Sequence, residues 1–164
     1  MFKNPFLHFA TKIYGWIITG GGNLQSLFLL WMRMTWGHQF MMTGYKKLIE
    51  AENTTQFFSN LNIPAPHFST YLVGYTELIG GILLFTGLAS RLIAVPLSII
   101  MLVALGTYHY PNLAHFRIFT DPSSLVHEAP YPFLITCILV LAFGPGRISL
   151  DAWIKRWVEK QPKY

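Results

Sequence analysis

HFSTYLVGYTELIGGILLFTGLA, residues 67 to 89, leads into Ser90-Arg91 and carries one carboxylate, Glu77, near its middle. About 20 such residues are enough to cross the hydrocarbon layer of a bilayer as a helix. A charge at that depth is costly, marks a functional site by default and needs a named partner. The candidate at the middle of another apolar run is Arg33. The stretch therefore predicts a small helical membrane protein built around a buried Arg33–Glu77 pair.

Helical phase adds to this. Steps of three and four from Glu77 reach Gly74, Gly80 and Gly81, and the same steps from Arg33 meet Gly37, Phe40 and Gly44. Small residues let helices approach closely in a bilayer, where apolar burial alone gives no preference for protein over lipid. Two such faces, each with half of an ion pair, are what a buried contact requires.

Composition points the same way. Hydrophobic residues make up 52% of the 164 and charged residues 12%, and the mean hydropathy is +0.40, too apolar for an ordinary soluble domain. The net charge of +5 does not indicate nucleic acid, because the basic residues sit at the ends of apolar runs and at the C-terminus, where anionic lipid headgroups lie. Cys137 is the single cysteine, which excludes an intrachain disulfide, a CxxC redox pair and a thiolate metal cluster. No cleavable signal peptide is expected, so insertion relies on the helices themselves.

Along the chain, Asn4-Pro5 opens an amphipathic segment over residues 4 to 19 that is expected to lie in the interface, and Gly20-Gly21-Gly22 is expected to act as a hinge. A first span follows from about Leu24 to Tyr45, closed by Lys46-Lys47. Glu50 to Asn60 is polar enough for a short surface helix, and Asn62-Ile63-Pro64-Ala65-Pro66 is a non-helical lead-in to the second span. The third span runs from about Leu92 to His109, and a long polar connection from Tyr110 to Ala129 leads to the fourth, from Pro130 to Phe143. Ser149 is placed to cap a final amphipathic helix.

Four spans put both termini on one side. Lys3, Lys12, Arg91, Arg147, Lys155, Arg156, Lys160 and Lys163 then oppose Lys46, Lys47 and Arg117, and the positive-inside rule makes the termini cytoplasmic. Arg33 lies roughly ten residues from the inner end of its run and Glu77 roughly ten from the outer end of its own, so at about 1.5 Å per residue both are expected near the midplane.

The residues Arg33-Met34-Thr35-Trp36-Gly37, Gly44 to Lys47-Leu48, Phe57-Phe58 to Ile63-Pro64-Ala65-Pro66, Glu77-Leu78-Ile79-Gly80-Gly81, Thr107 to Asn112, Tyr131-Pro132 and Gly144-Pro145-Gly146-Arg147 through Asp151 occur in this order. This set resembles the DoxX family of small bacterial membrane proteins over roughly residues 24 to 151. The resemblance implies a four-helix bundle in the cytoplasmic membrane and a redox setting. Relatives in that setting include the small subunit of a thiosulfate:quinone oxidoreductase and partners of thiol-stress systems. The chain departs from the family pattern in one place: Pro130 stands where a Glu often precedes the Tyr-Pro, and Glu128 lies two residues earlier.

Two readings of Arg33 and Glu77 stand side by side: a structural pair that fixes helix register, or a polar patch that binds a quinone carbonyl or an acid headgroup. His109 ends the third span at the level of His127, Glu128 and Lys47. These side chains either offer hydrogen bonds to a quinone ring or cap helix ends among the headgroups. His109, His115 and His127 are irregularly spaced and only weak candidates for a metal. His38 points away from Arg33 by helical phase and is left out.

The expected architecture is thus all-α: an interfacial helix and hinge over 1–22, a four-helix transmembrane DoxX-like domain over 23–147 and an amphipathic helix over 148–164. The expected ligand site comprises Arg33, Glu77, Lys47, His109, Glu128 and Tyr131, with quinone as the cofactor the setting allows. The expected role is an accessory or quinone-contacting subunit of a membrane redox system, with lipid and a redox or stress protein as partners and homo-oligomers left open. The alternative is a non-enzymatic carrier or scaffold for a small hydrophobic or metal-bearing ligand.

Overall fold

The computed structural model describes residues 5–108 and 126–160, and among them every regular element is a helix. The first, α1, runs from Pro5 to Ile49 and ends on Lys46 and Lys47, whose charge suits the carbonyl end of the helix dipole. It continues unbroken through Gly20, Gly21 and Gly22, so the expected hinge and the separate N-terminal helix are not found. Each glycine costs about 1 kcal/mol relative to alanine within a helix. A break there would leave backbone N–H and C=O groups without their helical partners, and the continuous helix keeps them paired.

The polar segment after α1 forms α2, Ala51–Asn60, as its composition suggests. The lead-in to α3, Pro66–Thr86, turns through left-handed Asn62 (φ 55°) and Ala65 (φ 47°), with Pro66 at the first helical position. The end of α3 is a Schellman motif: Leu88 N–H donates to the Leu83 carbonyl and Gly87 N–H to the Leu84 carbonyl, with Gly87 at φ 75°. Next come α4, Ser90–Tyr108, then α5, Pro130–Phe143, and α6, Leu150–Glu159. Ser149 caps α6 as expected, its hydroxyl accepting from Ala152 N–H at 3.1 Å.

The helices pack in two antiparallel pairs. Between α1 and α3 the backbones nearly touch: a Cβ on Gly44 would lie 2.5 Å from Leu78 N, and one on Gly81 would lie 2.6 Å from Met41 N. These are the glycine faces that the sequence predicts. The other pair, α4 and α5, closes over Leu97, Met101, Leu105, Leu134, Cys137 and Val140. Phe133 of α5 joins the pairs by meeting Phe40 and Trp36 of α1 edge-on, at centroid distances of 4.7 and 4.9 Å.

Two helices, α3 and residues 90–107 of α4, are long and apolar enough to cross a bilayer, while α5 is apolar but shorter. Only 33% of the α3 window and 28% of the α4 window are buried within the chain. The core helix of a soluble protein would be mostly covered. Here Phe68, Ile79 and Ile82 of α3 and Val95 and Leu102 of α4 face outward instead.

Candidate ligand site

The glycine contacts set the offset of α1 against α3, and that offset decides which charges meet. Gly37 lies against Gly81 and Phe85, and Gly44 against Gly74 and Leu78. Glu77 is therefore level with the end of α1 that carries Lys47, and its Oε2 accepts from the Lys47 ammonium. Glu77 is 2% exposed, and the Lys47 side chain retains 27% exposure.

Arg33 is also fully buried, but it lies beside Gly87 at the far end of α3. Ten residues separate Gly87 from Glu77, about 15 Å of helix. The expected Arg33–Glu77 pair is therefore not formed, and Glu77 pairs with Lys47 instead. The midplane estimate took the start of the first run to lie level with the end of the second, whereas α1 extends well beyond the end of α3.

Arg33 closes a different structure. Its Nη2 donates to the Ile148 carbonyl at 2.6 Å, while Nε and Nη1 have no hydrogen-bond partner among the described residues. A Cβ on Gly87 would sit 1.8 Å from Arg33 Nη1, so glycine is required there for space as well as for φ. Asp151 completes the clasp: its carboxylate accepts from Ala89 N–H at 2.8 Å and Ser90 N–H at 3.2 Å, and its own N–H donates to the Gly87 carbonyl at 3.0 Å. Arg33 thus ties α1 to the α5–α6 connection, and Asp151 ties the first turn of α6 to the α3–α4 turn.

Above the Lys47–Glu77 pair opens a cavity of about 440 Å³, lined by α1, α2, α3, α4 and the start of α5. Its walls are almost wholly apolar: Phe57, Phe58, Leu72, Ile100, Val103 and Phe133 among others. Thr43, Lys47, Ser69, Glu77 and Thr107 supply its polar groups. A volume in the range of small-molecule sites, apolar walls and a few convergent polar groups are the usual makeup of a ligand pocket. In α2, the Thr55 hydroxyl donates to the Thr70 hydroxyl at 3.1 Å, which fixes the helix bearing Phe57 and Phe58 as a cover.

Of the residues expected in one site, the structure brings together Lys47 and Glu77 and removes Arg33. Glu128 and Tyr131 are half-buried in the turn opening α5, where Tyr131 N–H donates to the Glu128 carbonyl at 3.0 Å, and the intervening Ala129 and Pro130 line the cavity. His109 and His115 lie outside the described residues, and His127 is exposed. Among the described residues no group of three His, Cys, Asp or Glu side chains is placed to hold a metal ion. The sequence reading missed the Arg33 clasp, the α2 cover and the role of Phe133. One signal for the offset was present. Gly37 and Gly44 are seven residues apart, and so are Gly74 and Gly81, so matching them in antiparallel sense removes Arg33 from Glu77.

Described residues whose regular elements are all helices, outward apolar faces, a glycine-packed helix pair and a part-buried charge pair in an apolar cavity define a class of small membrane-type helical proteins. This chain belongs to the DoxX family, whose model matches residues 28–110. It is 36% identical over 125 residues to a protein of Bacillus subtilis (strain 168) named "Putative oxidoreductase CatD", covering 76% of this chain and 85% of that one. No solved structure matches the chain significantly.

Proposed function

We propose that the protein crosses the bacterial cytoplasmic membrane four times, with both termini inside, and serves a membrane redox system as a quinone-contacting accessory subunit. The observation that carries this reading is the apolar cavity of about 440 Å³ with the Lys47–Glu77 pair in its wall. Phe57, Phe58 and Phe133 offer flat apolar walls to a ring, and Lys47 offers ammonium protons to a carbonyl oxygen at the partly accessible end. A quinone bound there would be reduced to the quinol by two electrons from a partner protein and two protons from solvent. Lys47 positions the carbonyl, and Glu77 holds the ammonium and is a carboxylate that can exchange a proton at the buried end. The redox setting is supported by the name of the Bacillus relative.

Gentle purification from the native membrane, followed by mass spectrometry and an absorbance spectrum, tests the reading. Stoichiometric quinone is expected, lost in Lys47→Gln and Glu77→Gln but retained in Arg33→Ala, whose side chain lies outside the cavity. Phospholipid alone in the wild-type preparation would overturn the quinone reading in favour of a carrier or scaffold.

A further inference from the structure

A second concavity, of about 730 Å³, lies at the opposite end of the bundle between α1, the start of α4, the α5–α6 connection and α6. Three cations line it, Arg91, Arg147 and Lys155, against one carboxylate, Asp151. Both Asp151 oxygens are already engaged by Ala89 N–H and Ser90 N–H. The arginines are anchored by neutral groups: Arg91 Nη2 donates to the Ala142 carbonyl at 3.3 Å, and Arg147 Nη1 to Asn23 Oδ1 at 3.0 Å. Each guanidinium has five N–H donors, so most remain available. Lys155 faces Glu159 at 3.9 Å, but both side chains are largely exposed and the attraction is weak.

The other wall is apolar, with Leu92 77% and Phe143 57% exposed. Beside the groove, α6 leaves Trp153, Ile154 and Trp157 uncovered, as a helix lying in the membrane interface does. Among the described residues these cations are at most weakly paired, and set against a greasy wall, at the end of the bundle where the basic residues gather, they call for an amphiphile with an anionic head. We propose that this groove binds an anionic glycerophospholipid of the inner leaflet. Its phosphate would sit on Arg91, Arg147 and Lys155, and its acyl chain along Leu92 and Phe143. Planar guanidinium forks suit phosphate oxygens better than a general surface charge does. The inference rests on the membrane reading above and is independent of what occupies the apolar cavity.

Native mass spectrometry of the full-length protein in detergent, with equal amounts of phosphatidylglycerol and phosphatidylcholine, tests it. Wild-type protein is expected to retain phosphatidylglycerol preferentially, and that preference is expected to fall about fivefold for each of Arg91→Gln, Arg147→Gln and Lys155→Gln. Lys46→Gln, a cation at the far end, is expected to change nothing, which separates a built site from overall charge. Lys155 is exposed, so its variant keeps the test valid even where an arginine change impairs folding. Equal retention of the two lipids, or a preference indifferent to the three substitutions, would overturn the proposal. So would displacement of the lipid by millimolar inorganic phosphate, which would make the ligand a free anion. Loss of bound quinone with lipid preference intact would sink only the redox reading.

Discussion

Glu77 shows how little freedom a buried charge has in choosing a partner. Its carboxylate is almost fully covered, and the Lys47 ammonium is its ion-pair partner. Removing Lys47 alone leaves an uncompensated charge, so Lys47→Met is expected to cost about 2–4 kcal/mol. That lies towards the low end for broken buried pairs, because the lysine keeps some access to solvent. The double change Lys47→Met with Glu77→Met is expected to recover most of the loss. Arg33→Ala removes a charged hydrogen bond to the Ile148 carbonyl, and its effect is expected to add to that of Glu77→Met without coupling, since the two sites are well separated. Double-mutant cycles on thermal unfolding in detergent measure both terms. Coupling between Arg33 and Glu77, or none between Lys47 and Glu77, would refute this arrangement.

At the scale of elements, the glycines of α1 fall into two kinds. Gly37 and Gly44 let α3 approach to backbone contact, whereas Gly20, Gly21 and Gly22 have nothing within 4 Å of an added Cβ. Opposite outcomes are therefore expected from the same chemical change. Gly44→Ala is expected to push the helices apart and destabilise the protein by about 1–3 kcal/mol. Gly20→Ala is expected to stabilise α1 by about 0.5–1 kcal/mol. Melting temperatures that move together would show that α1 and α3 are not packed through Gly44. The sequence displays both groups of glycines but not the distinction, which depends on what stands opposite.

For the whole molecule, only about a third of the α3 and α4 windows is buried within the chain, and on the proposed topology the excess of basic residues places both termini inside. Ser59 lies in α2 and Lys160 follows α6; both are exposed. In a Cys137→Ser background, Ser59→Cys is expected to react with an impermeant maleimide in intact cells, and Lys160→Cys only after permeabilisation. The reverse labelling would invert the topology. The Arg33–Asp151 clasp and the Lys47–Glu77 pair lie at opposite ends of the α1–α3 contact, one holding the chain connections together and the other facing the cavity.

The sequence by itself determined the helices from α2 to α6, the cap at Ser149, the small-residue faces and the presence of two costly buried charges. Those properties follow from periodicity, composition and local backbone preference. Only the tertiary structure decided the continuity of α1, the enclosure of the cavity by α2 and Phe133, and the partner of each charge. An ion pair depends on the axial offset between helices to within a few ångströms, and that offset is fixed by glycine backbones meeting across α1 and α3 and by the clasp at Gly87, contacts between residues distant in the chain.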